Sequence, residues 1–267
     1  MKQKPTTDRP RILIIAGSDS GGGAGVQADI KTAHQHGVYA STAITALTAQ
    51  NTQGVSGIFD VSANFVAEQI RLVLDDIGAD VIKIGMLNNS AVIAAIETEI
   101  GNIKTPIVLD TVMIAKGGSA LLKQNAITAL KGKLIPLAKI VTPNLPEAEI
   151  LSGIKIKTLD DMIQAGKNIL QFGAQTVLVK GGHLKGNAIY DVVVTRSKFE
   201  IFSHERIESK NTHGTGCTMA TAIACYLAQG DDVFKAVEKA REYVIEAIKT
   251  APQIGSGHGP VNHFVNL

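Results

Sequence analysis

The sequence predicts an α/β fold, a central and mostly parallel sheet with helices on both faces. Short β-rich runs alternate with stretches of helical spacing along most of the chain. No repeat, low-complexity tract or composition shift marks a linker. Apolar residues make up 45% of 267 positions, enough for a sizeable core without a metal or disulfide staple. Strands alternating with helices give parallel sheets, because each crossover helix lies on a sheet face.

In order, the β-rich runs are Arg11–Ala16, Ala40–Leu47, Asp80–Ile84, Ile107–Asp110, Lys139–Thr142 and Thr176–Val179. Helical spacing marks Ala24–His36, where Val26, Ile30 and Ala33 share a face, and then Asn64–Leu74, Ser90–Ile100, Asp160–Phe172 and Gly216–Ala228. Ala188–Thr195 and Phe199–Ser203, joined by the short polar turn Arg196–Lys198, read as a hairpin at a sheet edge. Two helices and the Gly-rich tail GSGHGPVNHF close the chain. Residues 1–10 read as a flexible tail and 11–267 as one domain.

The net charge of +2, without a basic run, argues against nucleic acid or an anionic membrane surface as partner. The apolar run Ile12–Ala16 is too short for a signal segment or a span. Two cysteines eight residues apart, Cys217 and Cys225, make no disulfide framework and suit a reducing cytosol.

Ligands of such folds bind beyond the carboxyl ends of the strands, so the residues there carry the functional reading. The first strand runs into GSDSGGGAG (Gly17–Gly25), which is either a tight turn or a ligand-approach loop. It is neither a Walker A loop nor a dinucleotide fingerprint. Asp29, beside the apolar face of the next helix, reads as a solvated flank unless a pocket claims it. Gln50 and Asn51 follow the second strand, where they form a plain turn or pair an amide with an uncharged heterocycle. Asp110 ends a strand and suits a metal. In TPNLPEAE, Asn144 and Glu147 stand three apart, as a helix cap with a dipole partner or as part of the same site. Asp110 and Glu147 could share one hydrated Mg²⁺ with phosphate oxygens. Lys180, before Gly181-Gly182-His183, points to solvent or reaches a phosphate. The strongest signal is NTHGTGCT (Asn211–Thr218), which opens a helix. Free amides and the helix dipole there make an anion site suited to a transferring phosphoryl group. Cys217 falls on the first helical turn, a position expected to lower its thiol pKa.

These segments resemble one family. AGSDSGGGAGVQADIKT, ITALTAQNTQGV, KIGML, VLDTVM, TPNLPEAE, VKGGH, NTHGTGCT and GPVNHF, spread over residues 16 to 264, are similar to the hydroxymethylpyrimidine/phosphomethylpyrimidine kinases of thiamine biosynthesis, members of the ribokinase-like superfamily. The resemblance implies a three-layer α/β domain that phosphorylates 4-amino-5-hydroxymethyl-2-methylpyrimidine, then its monophosphate, with ATP and Mg²⁺. It implies a cytoplasmic homodimer. It assigns Gln50, Asp29, Met86 and Val112 to the pyrimidine, Gly214, Thr215 and Gly216 to an anion hole, and Cys217 to the position of the superfamily's catalytic Asp. Lys180, Asn144 and Thr215 fall to ATP phosphates, and Asp110 and Glu147 to the metal. Cys217 would take the hydroxyl proton or orient the attacking oxygen. One departure is visible: Ser20-Gly21 replace the Pro-Ser of the family's GxDPSGGAG loop, which predicts a looser loop. Val112–Ser119 reads as a flap. A pyridoxal/pyridoxine kinase is the nearest alternative, disfavoured by Gln50 where those relatives tend to carry an apolar residue. A non-catalytic pyrimidine sensor is disfavoured by the presence of Cys217, Glu147 and Lys180 together.

Overall fold

A computed structural model describes residues 9–113, 124–182 and 186–265. These form nine strands: β1 (Arg11–Asp19), β2 (Tyr39–Asn51), β3 (Gly54–Asp60), β4 (Val81–Ile84), β5 (Ile107–Leu109), β6 (Ile140–Val141), β7 (Thr176–Lys180), β8 (Ala188–Thr195) and β9 (Phe199–Glu205). The α-helices are α1 (Gly25–Gln35), α2 (Ala63–Asp76), α3 (Ser90–Ile100), α4 (Gln124–Ala129), α5 (Leu145–Ser152), α6 (Leu159–Leu170), α7 (Thr215–Ala228) and α8 (Val233–Lys249).

One sheet runs in the order β3-β2-β1-β4-β5-β6-β7-β8-β9. Strands β2, β1, β4, β5, β6 and β7 are parallel. Antiparallel partners close both edges, β3 on β2 and the β8–β9 hairpin on β7. The middle strands are covered on both faces, so β1 is apolar at every position from Ile12 to Ala16 rather than alternating. Leu13 and Ile15 face the core under α2, α3, α5 and α6. Ile12, Ile14 and Ala16 face the core under α1, α7 and α8. This is the three-layer architecture that the alternating pattern predicts.

Side-chain caps start several helices where the sequence supplies them: Ser62 for α2, Asn89 for α3, Thr158 with Asp161 for α6 and Asp232 for α8. The structure departs from the sequence reading in three places. β2 extends to Asn51, so Gln50 and Asn51 lie on the strand rather than after it. β3 exists because its backbone pairs with that extension, although nearly all its residues are exposed and leave only a weak apolar pattern. The helix α4 is likewise unforeseen. Residues 1–8 of the expected tail, residues 114–119 of the expected flap and His183 lie outside the described residues.

Candidate active site

The carboxyl ends of the parallel strands and the loops that follow them line a cavity of about 740 Å³. Of the residues singled out from the sequence, Gln50, Met86, Val112, Asp110, Asn144, Glu147, Lys180, Gly214, Thr215, Gly216 and Cys217 all line it. Asp29 does not.

At one end is the glycine loop. Gly25 has φ +57°, and a Cβ there would lie 2.3 Å from the Gly17 carbonyl oxygen, so only glycine fits the turn into α1. The side chain of Asp19, buried at the end of β1, accepts from the backbone N–H of Gly21, Gly23 and Ala24 at 2.8, 3.1 and 2.8 Å. It also pairs with His213 Nε2 at 2.8 Å. Burial pushes the Asp19 carboxyl up, but His213 and these N–H groups outweigh it and hold it below the usual range. The Ser20 hydroxyl donates to the Gln50 carbonyl and accepts from the Gln50 N–H, both at 2.8 Å. The expected looseness at Ser20-Gly21 is therefore offset by hydrogen bonds that tie the loop to β2. A backbone irregularity between Ala49 and Gln50 sets the pairing of Gln50 with β3. The amide of Gln50 lies 3.2 Å from His213 Nε2 and accepts from Thr48 Oγ1 at 3.1 Å.

At the centre, Asp110 follows β5. Its Oδ1 accepts from Lys180 Nζ and from Thr142 Oγ1, each at 3.0 Å. Burial raises the Asp110 carboxyl, and Lys180 and Lys83 more than reverse this. Lys180 is thus neither solvent-facing nor without a counter-charge: it bridges towards both carboxylates. Asn144 and Glu147 form a reciprocal capping box that starts α5. Glu147 also accepts from Thr111 Oγ1 at 3.0 Å. Burial raises the Glu147 carboxyl, Lys180 opposes it and Asp110 adds to it. The capping and the site readings of Asn144 and Glu147 therefore coexist in the same side chains.

The loop before α7 turns at Gly214, whose φ is +80°. A Cβ there would lie 1.8 Å from the Gly23 carbonyl oxygen, so this loop and the glycine loop touch through backbone alone. No side chain caps α7; Gly214 to Cys217 line the cavity, and the Thr215 N–H bonds back to the Thr212 carbonyl at 3.4 Å. The C-terminal tail shapes the loop, with the His213 N–H donating to the Gly259 carbonyl at 3.0 Å.

Two expectations reverse here. Cys217 stands on the first turn of α7 as expected, yet burial pushes its thiol up to about 11, with Lys83 opposing and Asp29 and Asp110 adding to the rise. The helix start is outweighed by desolvation. Asp29 is neither a solvated flank nor a wall of the cavity. It is wholly buried, with Lys83 Nζ at 2.7 Å and Thr221 Oγ1 at 2.7 Å.

Sequence reasoning also missed Asp19, His213 and Lys83, although each stands inside a quoted segment. It missed the far end of the cavity entirely. There Arg241 donates from Nε to Asp191 at 2.8 Å and bonds His204 Nδ1 at 2.8 Å. Asp191 accepts the Gly181 N–H at 2.9 Å and Arg206 donates to the Gly182 carbonyl at 3.0 Å, so the network fixes the chain after Lys180. Val244, Ile245 and Ile248 supply an apolar wall nearby.

A three-layer sheet with an uncapped helix start, paired lysines and carboxylates at its carboxyl edge defines a ribokinase-like small-molecule kinase. The comparisons agree. Residues 19–262 match the phosphomethylpyrimidine kinase family, and the chain belongs to that family. It is 45% identical over 256 residues to a hydroxymethylpyrimidine/phosphomethylpyrimidine kinase of Bacillus subtilis, covering 95% of this chain and 94% of that one. It is 49% identical over 258 residues to a thiamine biosynthesis bifunctional protein of Geobacter sulfurreducens, covering 96% of this chain but only 53% of that longer one. Among solved structures, an ADP complex of Bacillus subtilis pyridoxal kinase superposes with a TM-score of 0.89 at 38% identity, covering 96% of this chain and 97% of the other. Among the described residues no helix is long and apolar enough to cross a membrane.

Proposed function

We propose that this kinase phosphorylates 4-amino-5-hydroxymethyl-2-methylpyrimidine with ATP, and then its monophosphate to the pyrophosphate. The observation that carries this reading is Gln50. Its amide faces the cavity at the end away from Lys180, near His213, with Met86 and Val112 among the apolar lining. An amide can donate to a ring nitrogen and accept from the neighbouring exocyclic amine, which suits an aminopyrimidine.

On this reading the far wall of Val244, Ile245 and Ile248 takes the base of the nucleotide, and Lys180 meets its phosphates. The amides of Gly214, Thr215 and Gly216 stabilise charge on the transferring phosphoryl group. The hydroxymethyl oxygen bonds to the γ-phosphorus as the bond to the ADP oxygen breaks, and the hydroxyl proton passes to the thiolate form of Cys217. Two buried carboxylates, Asp110 and Glu147, offer hard oxygen donors that fit Mg²⁺, which takes one or two carboxylates and completes its shell with phosphate and water. Asp110 and Glu147 would hold the ion, whose charge would offset that of the phosphates. The assembly is a cytosolic homodimer, with Phe59, Phe65 and Leu72 as exposed apolar candidates for the interface.

The test is kcat/KM for the aminopyrimidine alcohol, its monophosphate and pyridoxal, read by ADP release. Higher efficiency on both pyrimidines than on pyridoxal supports the reading. Preference for pyridoxal makes the chain a vitamin B6 kinase, and a flat trace despite binding makes it a sensor.

A further inference from the structure

The proposed role of Cys217 meets a physical difficulty. Burial pushes its thiol up, so the neutral form dominates at pH 7 and a proton acceptor there needs local help. Lys83 on β4 and Cys217 line the same cavity, and Thr221, one turn after Cys217 on α7, bonds the Asp29 carboxylate that pairs with Lys83; Asp110 after β5 and Lys180 at the end of β7 add further charge. Lys83 is the unusual one. It is a fully buried lysine in an inner strand of the sheet, and it lines the cavity. Burial opposes its charge, but Asp29, Cys217 and Asp110 outweigh burial and keep it protonated. Three features hold the ammonium in place. Asp29 accepts from it at 2.7 Å, and Thr221 on α7 steadies the other carboxylate oxygen at 2.7 Å. Gly85 leaves room for it, since a Cβ at 85 would stand 3.0 Å from Lys83 Nζ and 3.1 Å from the Ala16 Cβ. A buried ion pair gains little for stability over an apolar pair of the same volume, so its presence under the reacting loop asks for another reason.

We infer that Lys83, held by Asp29 and Thr221 under the loop of α7, is the positioning cation that stabilises the thiolate of Cys217 for phosphoryl transfer. Lys83 acts through Cys217, and its carboxylate partner tempers it: Asp29 fixes the ammonium while opposing the thiolate. The two members of one ion pair therefore act on the Cys217 thiolate with opposite sign, a split that a loss of packing at both positions would not produce. The inference rests on the reading of Cys217 as proton acceptor.

The experiment compares the whole chain with Lys83→Met, Asp29→Asn and the double variant. The rate of Cys217 alkylation by iodoacetamide is followed from pH 6 to 10 by peptide mass spectrometry, alongside kcat and KM. Lys83→Met slows alkylation at pH 8 by about 10-fold or more, as loss of a near charge in a buried setting requires. It lowers kcat in parallel and leaves KM for the pyrimidine within about 3-fold. Asp29→Asn speeds alkylation. The double variant, which leaves no unpaired buried charge, stays folded and alkylates more slowly than wild type. If Lys83→Met does not fold, Asp29→Asn and the double variant decide by the same signs. An unchanged alkylation profile in the variants, or a shift of both single variants in one direction, overturns the inference. Full kcat in Cys217→Ala sinks the proton-acceptor reading instead, and the alkylation data tell that failure apart.

Discussion

Replacing Gly214 by Ala perturbs the contact on which the anion loop depends, and a matched control separates strain from geometry. Gly214 and Gly37 have similar backbones, with φ +80° and +70°. An L residue in that region costs about 1–2 kcal/mol at either position. The surroundings differ. A Cβ at 37 meets nothing within 4 Å, whereas a Cβ at 214 lies 1.8 Å from the Gly23 carbonyl oxygen and 3.3 Å from the Ala24 Cα. Ordinary contact needs roughly 3.4 Å, so the two loops must part by more than about 1 Å in Gly214→Ala. A shift of about 1 Å in a positioning element can cost about 10²-fold in rate, equivalent to about 2.7 kcal/mol of transition-state stabilisation. Gly37→Ala is expected to lose about 2–8 °C of Tm with kcat unchanged. Gly214→Ala is expected to lose somewhat more Tm and about 10²-fold in kcat. The assays are thermal unfolding and ADP release under saturating substrates. A Gly214→Ala enzyme within about 3-fold of wild-type kcat refutes the argument that backbone contact between the loops places the amides.

Three other expectations follow from the site. Gln50→Met removes the amide near His213 and should lower kcat/KM for the aminopyrimidine by about 10–100-fold while sparing pyridoxal, as the loss of one or two hydrogen bonds dictates; equal losses on both substrates contradict the specificity role. Glu147→Gln preserves the capping geometry and removes a charge that burial already disfavours, so Tm should barely move. The Mg²⁺ concentration for half-maximal rate should rise about 10–100-fold, and an unaltered Mg²⁺ titration would exclude Glu147 from the metal. The third concerns pH. Asp19 is held below its ordinary value in the folded state, so its contribution is present above the unfolded pKa of about 4 and lost as pH falls through the lower folded value. The stability difference between wild type and Asp19→Asn should therefore be constant above about pH 5 and shrink below pH 4; urea midpoints that keep a constant difference down to pH 3 would remove Asp19 from the acid response.

Much of the site was legible before folding because the chemistry sits at strand ends. Gly21, Gly22, Gly23 and Gly25, Gly214 and Gly216, the carboxylates Asp110 and Glu147, and the amide Gln50 each declare themselves by position near the end of a strand or the start of a helix. Lys83 was not legible. A lysine in the run Val-Ile-Lys-Ile of β4 looks like the solvent-facing member of an alternating strand. Only the packing of α1 and α7 on that strand turns it inward to Asp29. Nor was the Arg241–Asp191–His204 network, whose members are separated by up to 50 residues and meet because α8 packs near the β8–β9 hairpin.

The sequence by itself determined the period of each element, the helix caps, the glycine turns and the antiparallel hairpin of β8 and β9, because these depend on neighbours a few residues away. It also carried the family, since eight short segments in order are specific together. The tertiary structure alone decided which residues meet and what burial does to them. It drew β3 into the sheet, put Asp29 beneath the cavity instead of in it, and reversed the expected direction of the Cys217 thiol. A pKa depends on the solvent a fold excludes and on charges brought close from distant positions, and neither is written in local sequence.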